Sequence, residues 1–277
     1  YPCTGKIQVA DRTIKCHKRT GHGTQDLTHG LMNSCNPYMI HLALEMGNSR
    51  FAYYQSLFGF GKITGIDLPG ETTGIVYGDR MTTIDAACNS FGQTINVNMM
   101  QMMAAYCSII NGGMLYQPHI VKRIESANGE VVKEYKANLV RQTITASTSK
   151  LLRRYLKNTV EEGTAKKAGV TGYSVAGKTG TAQKGDRKDN KWIISFIGHA
   201  PAENPKFAIY VVIDEPYGTT GTSGSSADVL TLTHNILEKL LPYMNVYKDA
   251  SDEYEDTSSS PDELTVDGIP AGTASSN

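Results

Sequence analysis

The alternation of apolar and polar positions changes period along the chain, and the changes mark its elements. Tyr38 to Met46 is apolar at helical spacing, with Gly47 as a stop and Asn36-Pro37 suited to a first turn. Residues 49–58 read as a second helix. Ser90 to Gly113 carries a long amphipathic pattern ending in Asn111-Gly112-Gly113, and its Met99, Met100, Met102 and Met103 read as a core stripe. His119–Glu125 and Glu130–Tyr135 flank Ala127-Asn128-Gly129, a hairpin signal. Ser147–Glu162 reads as a helix capped by its Ser/Thr run. Strand patterns follow at Tyr173–Gln183, Lys191–Ala200 and Lys206–Ile213, then a closing helix over Ala227–Met244. Helices, a hairpin, a helix, three consecutive strands and a helix imply an α+β fold: an antiparallel sheet covered by helices, with a helical lobe beside it.

Two stretches resist periodic reading. Residues 1–33 are irregular and rich in Gly, Lys, His and Thr. Phe58–Gly74 is Gly-rich and turn-prone without phosphate-loop spacing, so no nucleotide site is expected there, and Asp67 and Glu71 read as solvated loop carboxylates. From Tyr247 the composition collapses to Asp, Glu, Ser, Thr, Gly and Pro. The expected organisation is one domain over 1–247 and a disordered acidic Ser/Thr-rich tail over 248–277.

Composition narrows the function. Lys+Arg 27 against Asp+Glu 27 gives a net charge of +0, so nothing suggests a nucleic-acid footprint. The longest apolar run, Phe207–Ile213, is too short to span a bilayer. The first residue is Tyr1, so the chain reads as a fragment of a longer protein. Of five cysteines, Cys3, Cys16 and Cys35 crowd the first 35 residues, and His22 lies among them. Zn²⁺ takes four Cys/His ligands and could staple a segment with so little apolar content, although close C-x2-C pairs are missing. A Cys3–Cys16 disulfide or unrelated free thiols are the alternatives, and His17 and His29 are substitute ligands or surface histidines. Cys88 and Cys107 read as buried thiols.

Ala176 to Gln183 carries the sharpest chemistry. On a strand, Lys178 and Gly180 share one face and Thr179 and Thr181 the other. Gly180 lets a ligand lie flat against the backbone, and the strand edge offers N–H and C=O groups to an extended peptide beside a charge suited to a carboxylate. Upstream, Ser34-Cys35-Asn36 reads on its own as a helix cap.

Five stretches in one order turn these fragments into a resemblance: Ser34-Cys35-Asn36, Phe58–Gly74, Ser90–Val121, Glu162-Gly163-Thr164-Ala165 and Ala176–Gln183. Together they resemble the transpeptidase domain of class B penicillin-binding proteins, nearest to the clostridial and bacillar elongation or sporulation type. The resemblance implies a penicillin-binding/β-lactamase-like fold whose N-terminal portion precedes Tyr1. It implies D,D-transpeptidation of peptidoglycan stem peptides ending in D-Ala-D-Ala through a serine acyl-enzyme, with β-lactams as mimics. Ser34, Asn36, Lys178 and Thr181 become the catalytic set, and Thr179, Gly180 and Thr181 the substrate-binding set. Cys3, Cys16, His22 and Cys35 match a zinc-binding pattern of some Firmicutes members, making 1–36 a zinc-stapled segment; no organic cofactor is implied. The parent protein is expected at the extracytoplasmic face of the plasma membrane, held by an N-terminal anchor absent from this chain, with cell-wall synthesis partners.

Two departures qualify this. No S-x-x-K precedes Ser34, so the nucleophilic Ser and its Lys are expected outside the chain, which alone should be inactive. Ser147-Thr148-Ser149-Lys150 fits that pattern but falls where the family has a helix start, and is rejected. The small-residue and Pro segment before the last helix is replaced by Gly221–Asp228. A β-lactamase or β-lactam sensor of the same fold, or a non-catalytic cell-wall-binding pseudoenzyme, are the alternatives.

Overall fold

The computed structural model describes residues 1–185, 191–216 and 225–250; most of the expected tail and the start of Gly221–Asp228 lie outside them. In chain order come β1 (Pro2–Cys3), β2 (Lys6–Val9), β3 (Arg12–Lys15), β4 (Gly23–Thr24), α1 (Leu27–Met32), α2 (Asn36–Met46), α3 (Asn48–Leu57), α4 (Thr83–Asn89) and α5 (Met99–Ile110). Then follow β5 (Met114–Gln117), β6 (Arg123–Glu125), β7 (Val131–Glu134), β8 (Asn138–Gln142), α6 (Ala146–Glu161), β9 (Ala176–Lys184), β10 (Lys191–Ala200), β11 (Phe207–Asp214) and α7 (Ala227–Tyr243). Within the stretch read from sequence as one domain, the chain divides into two compact units. One comprises Tyr1–Asn48, Thr82–Thr94 and the chain from Arg154; the other comprises Ser49–Met81 and Ile95–Arg153.

The first unit is built on the antiparallel sheet β11-β10-β9. Alternate β10 residues Trp192, Ile194 and Phe196 are buried, as a period of two demands of a strand with one covered face. The apolar stripe of α7 (Val229, Leu230, Leu237 and Leu241) joins Ile194 and Phe196 in one core, with Val160 of α6. In the same unit α2 buries Ile40 against Ala87 and Cys88 of α4 and against Val9 and Ile14 of the β2-β3 ladder. Pro37 sits in the first turn of α2, and the helix ends at Gly47, whose φ of 81° is one that a side chain would oppose.

The irregular N-terminus expected from sequence instead holds two short antiparallel ladders, β1-β4 and β2-β3. Pieces of two to four residues are too short to display a period, which is why they were invisible in the pattern.

In the second unit, β5 pairs with β8 and β6 with β7 around the expected Asn-Gly turn. Ser90–Gly113, which starts in the first unit and enters the second at Ile95, is helical only over its second half. Thr94 has φ 58° and Gly92 φ 87°, and the helix begins at Asn98, whose side chain accepts from Gln101 N–H at 2.8 Å. Its buried face is Gln101, Ala105, Ser108 and Ile110, not the methionines, and Met99 is exposed. Cys88 is buried as expected, whereas Cys107 is only half-buried. Asp67 and Glu71 are staples, and of the two only Asp67 is the exposed loop carboxylate expected, Glu71 being half-buried. Asp67 accepts the N–H groups of Ile120 and Val121 at 2.8 and 2.9 Å, and Glu71 those of Thr64 and Gly65 at 2.7 and 3.1 Å. Among the described residues, no helix is long and apolar enough to cross a membrane.

Candidate functional site

Within the first unit a cavity of about 350 Å³ is lined by Ser34 and Asn36 at the start of α2 and by Lys178, Thr179, Gly180 and Thr181 on β9. Two segments 144 residues apart thus share one cleft, and Lys178 Nζ donates to Ser34 Oγ.

Each side has a physical basis. Ser34 adopts φ 48°, a left-handed conformation that costs a non-glycine residue roughly 1–2 kcal/mol. The turn is held by Ser34 N–H to Leu31 O at 3.2 Å and Cys35 N–H to Gly30 O at 2.9 Å. The next residue, Cys35, is the N-cap of α2, so Ser34 projects from a fixed helix entrance. Asn36 is anchored by Nδ2 donating to Lys15 O at 3.4 Å. On the other side, β9 is at the edge of its sheet, paired with β10 from Ala176↔His199 to Lys184↔Lys191. The Gly177 carbonyl is taken by the buried Thr159 hydroxyl. Gly180 has a further reason to be glycine: a Cβ there would lie 2.6 Å from Ser195 Oγ on the neighbouring strand.

Lys178 also donates to Thr179 O at 3.2 Å and Thr179 Oγ1 at 3.4 Å. Its neighbours are hydroxyls and carbonyls, and desolvation lowers its pKa from 10.5 to about 8. The ammonium is enclosed although the residue keeps some contact with the cleft. Such a group holds a carboxylate strongly when charged, because solvent screens the pair poorly.

Beside the cleft, the ligand atoms of Cys3, Cys16, His22 and Cys35 all lie within 4.8 Å of one another. His22 Nδ1 is 3.4 Å from Cys16 Sγ and 3.8 Å from Cys3 Sγ. The three thiols are buried, and all five cysteines are free, so the structure has no Cys3–Cys16 disulfide. Cys35 donates toward Cys16, which pushes the Cys16 thiol strongly down and Cys35 up. Buried Gln25 links this group to the Ser34 turn, donating to His22 O at 3.1 Å and accepting from Asn33 Nδ2 at 2.9 Å. His29 is turned away into the α1 cap with Asp26, at 2.8 Å. His17 stacks edgewise on His22 and lines the cleft.

Ser147 belongs to the other unit, where its hydroxyl meets Thr145 Oγ1 at 2.9 Å and Lys150 is exposed. Sequence reasoning did not single out His17, Phe91, Gln93 or Thr164 as cleft residues. Phe91, Gln93 and Thr164 fall inside quoted family stretches, which was the available signal.

An edge strand carrying an enclosed ammonium and a row of hydroxyls stands opposite a helix entrance with a serine and an amide, an arrangement with the chemistry to receive an extended peptide ending in a carboxylate. The family model described as the penicillin-binding protein transpeptidase domain matches residues 1–238, and the chain belongs to that family. It is 40% identical over 247 residues to stage V sporulation protein D of Bacillus subtilis, covering 87% of this chain and 38% of that protein. It is 34% identical to peptidoglycan D,D-transpeptidase FtsI of Escherichia coli K12, covering 81% of this chain and 37% of that one. Penicillin binding protein 3 from Mycobacterium tuberculosis, solved in complex with ampicillin, superposes with a TM-score of 0.81 at 29% identity, covering 91% of this chain and 58% of that one. The α+β transpeptidase fold expected from sequence is the fold found. The chain spans less than half the length of these curated relatives.

Proposed function

We propose that this chain supplies the substrate-holding part of a peptidoglycan D,D-transpeptidase that cross-links stem peptides through a serine acyl-enzyme. The observation that carries the reading is the Lys178–Ser34 contact inside one cleft of a member of this family. The stem peptide lies along the open edge of β9 as an added strand. Its terminal carboxylate meets the Lys178 charge and the Thr179 and Thr181 hydroxyls.

A nucleophilic serine, in the Ser-x-x-Lys that the family places before Ser34, attacks the carbonyl between the two D-alanines. Its proton passes to its lysine, as an unactivated serine requires. The Thr181 N–H and that of the serine hold the oxyanion, an interaction worth roughly 3–4 kcal/mol per donor in other acyl-transfer enzymes. When the C–N bond breaks, Ser34 gives its proton to the leaving amine of D-alanine and is reprotonated from the lysine network. Asn36 holds the substrate amide and that lysine. The amine of a neighbouring stem peptide then takes the acyl group. β-Lactams enter as mimics of the dipeptide, the class of ligand named in the ampicillin complex of the similar structure. The reaction places the site outside the cytoplasmic membrane, and the longer protein is expected to be anchored there.

Labelling with a fluorescent penicillin tests this. A version extended upstream to include the Ser-x-x-Lys should label, with slow release, while residues 1–277 alone should not. Rapid hydrolysis of the β-lactam favours a β-lactamase, and no labelling of the extended version favours a pseudoenzyme; either result defeats the proposal.

We also propose that Cys3, Cys16, His22 and Cys35 hold a structural zinc ion. Three thiol sulfurs and one ring nitrogen are the donor set such a site takes, and Zn–S bonds of about 2.3 Å put tetrahedral ligands about 3.8 Å apart. The observed 3.4 and 3.8 Å separations fit that spacing. The metal would neutralise clustered thiolates and tie β1, β3 and the α2 entrance together. Metal analysis of the purified chain should find close to one zinc per chain, lost in Cys16→Ser; absence of zinc after expression in zinc-supplemented medium refutes it.

A further inference from the structure

We propose that Thr164 is a positioning residue for Ser34, fixing the direction of its hydroxyl by closing a ring of four polar groups. Resting on the transpeptidase reading above, this inference concerns a residue to which that reading gives no role. Thr164 Oγ1 lies 3.5 Å from Ser34 Oγ and 3.4 Å from Thr179 Oγ1. Lys178 Nζ closes the circuit, donating to Ser34 Oγ and, at 3.4 Å, to Thr179 Oγ1. The Thr164 contacts are long, as those of substrate-free sites commonly are before they tighten in a complex.

The donor inventory fixes the two directions that start at Lys178. A protonated lysine only donates, so Ser34 and Thr179 each accept from Lys178 and keep one hydrogen to give. Thr164 has one hydrogen and two acceptor sites. If it donates to Ser34 Oγ, both Ser34 acceptor sites are filled, by Thr164 and Lys178. The Ser34 hydrogen is then left to point into the open cleft, where the leaving amine must collect a proton. Without Thr164, Lys178 is the one side-chain contact left to Ser34 among these groups, and rotation about its Cα–Cβ bond is freed.

Thr164 is itself held for this task. Its N–H donates to Met32 O at 3.2 Å, two residues before Ser34, and the next N–H, of Ala165, donates to Thr159 O at 3.0 Å. Thr159 in turn binds the Gly177 carbonyl of β9. One short turn is therefore bonded to the Ser34 wall through its own backbone and to the β9 wall through the Thr159 hydroxyl, and it places the Thr164 hydroxyl between them.

Two measurements test the role. In the version extended to include the Ser-x-x-Lys, Thr164→Val should lower the acylation rate at saturating penicillin about tenfold with little change in the half-saturating concentration, while Thr164→Ser restores it to within about threefold, the pattern of a lost transition-state interaction. In crystals of residues 1–277, Ser34 should occupy one rotamer in the wild type and Thr164→Ser and several in Thr164→Val. Should Thr164→Val fail to fold, Thr164→Ala replaces it. A wild type that does not acylate defeats the transpeptidase reading alone, because the rotamer comparison still judges Thr164. Thr164→Val acylating within about twofold of wild type, Thr164→Ser as slow as Thr164→Val, or a single Ser34 rotamer in Thr164→Val overturns the inference.

Discussion

Gly163→Ala would add one methyl group beneath the turn that carries Ser34. The new Cβ would lie 2.7 Å from Met32 Cγ, 2.7 Å from Met32 O and 2.9 Å from Thr159 Cα. The Met32 side chain can swing aside, but a carbonyl oxygen and a helix Cα move only with their backbones. Thr159 is also bound to the Gly177 carbonyl, so displacing it pulls on β9. Overpacking of this kind costs about 1–3 kcal/mol. In the opposite direction, Ala restricts the unfolded chain and contributes about 0.4–1 kcal/mol, since φ at 163 is not in the left-handed region. The balance is a net loss of roughly 1–2 kcal/mol. Urea unfolding of wild type and Gly163→Ala measures it, with Gly180→Ala as control. There the added Cβ meets Ser195 Oγ at 2.6 Å, a short side chain that can rotate, although φ-independent crowding remains. Gly180→Ala should lose less stability than Gly163→Ala and yet impair penicillin binding, because its methyl stands on the strand that receives the peptide. A Gly163→Ala chain within roughly 0.5 kcal/mol of wild type, the range of harmless surface changes, would show that the Met32 carbonyl and the Thr159 backbone leave room for a side chain here.

Lys178 should titrate near pH 8 in the folded chain, as followed by its Cε carbon shift, against an ordinary value of 10.5. Because the folded value is the lower one, enclosing the charge costs stability in full below pH 8, and the cost fades as pH rises toward 10.5; over the same rise, affinity for a D-Ala-D-Ala carboxylate should fall. Titration near 10.5 or a flat affinity profile would contradict the enclosed ammonium. Chelating the proposed zinc should slow penicillin acylation as well as destabilise the N-terminal ladders, since Cys35 lies between Ser34 and Asn36; loss of stability with an unchanged acylation rate would separate the metal from the site.

The sequence displayed some of these features and hid others for definable reasons. β10, β11 and α7 were legible because each packs one apolar face against the core over eight or more residues, whereas β9 has no such alternation and was legible from its residue types. The Lys178 strand and the Ser34 turn were recognisable as motifs, but their meeting depends on a contact 144 residues apart in the chain. The methionine stripe misled because an apolar count takes Met for core, while Gln101 occupies the interior by donating to Lys62 O and Thr73 O at 2.6 and 3.0 Å. Ser90–Asn98 carried a helical pattern that the left-handed backbone at Gly92 and Thr94 cancels. Thr164 had no signal beyond its place in the Glu162–Ala165 stretch, because a hydroxyl acquires a role only from what faces it.

The first unit is discontinuous: the chain leaves it after Asn48, returns for Thr82–Thr94, and returns again at Arg154. During synthesis, the Ser34 wall therefore emerges well before Lys178. The polypeptide must keep Ser34 and its cysteine neighbours waiting while more than a hundred residues are added, many of them belonging to the other unit. Non-local pairing of this kind is slow to form. The cleft is thus completed only after β9 has been made, and a nascent chain stopped before β9 has a serine turn and a cysteine cluster but no Lys178 to receive a carboxylate.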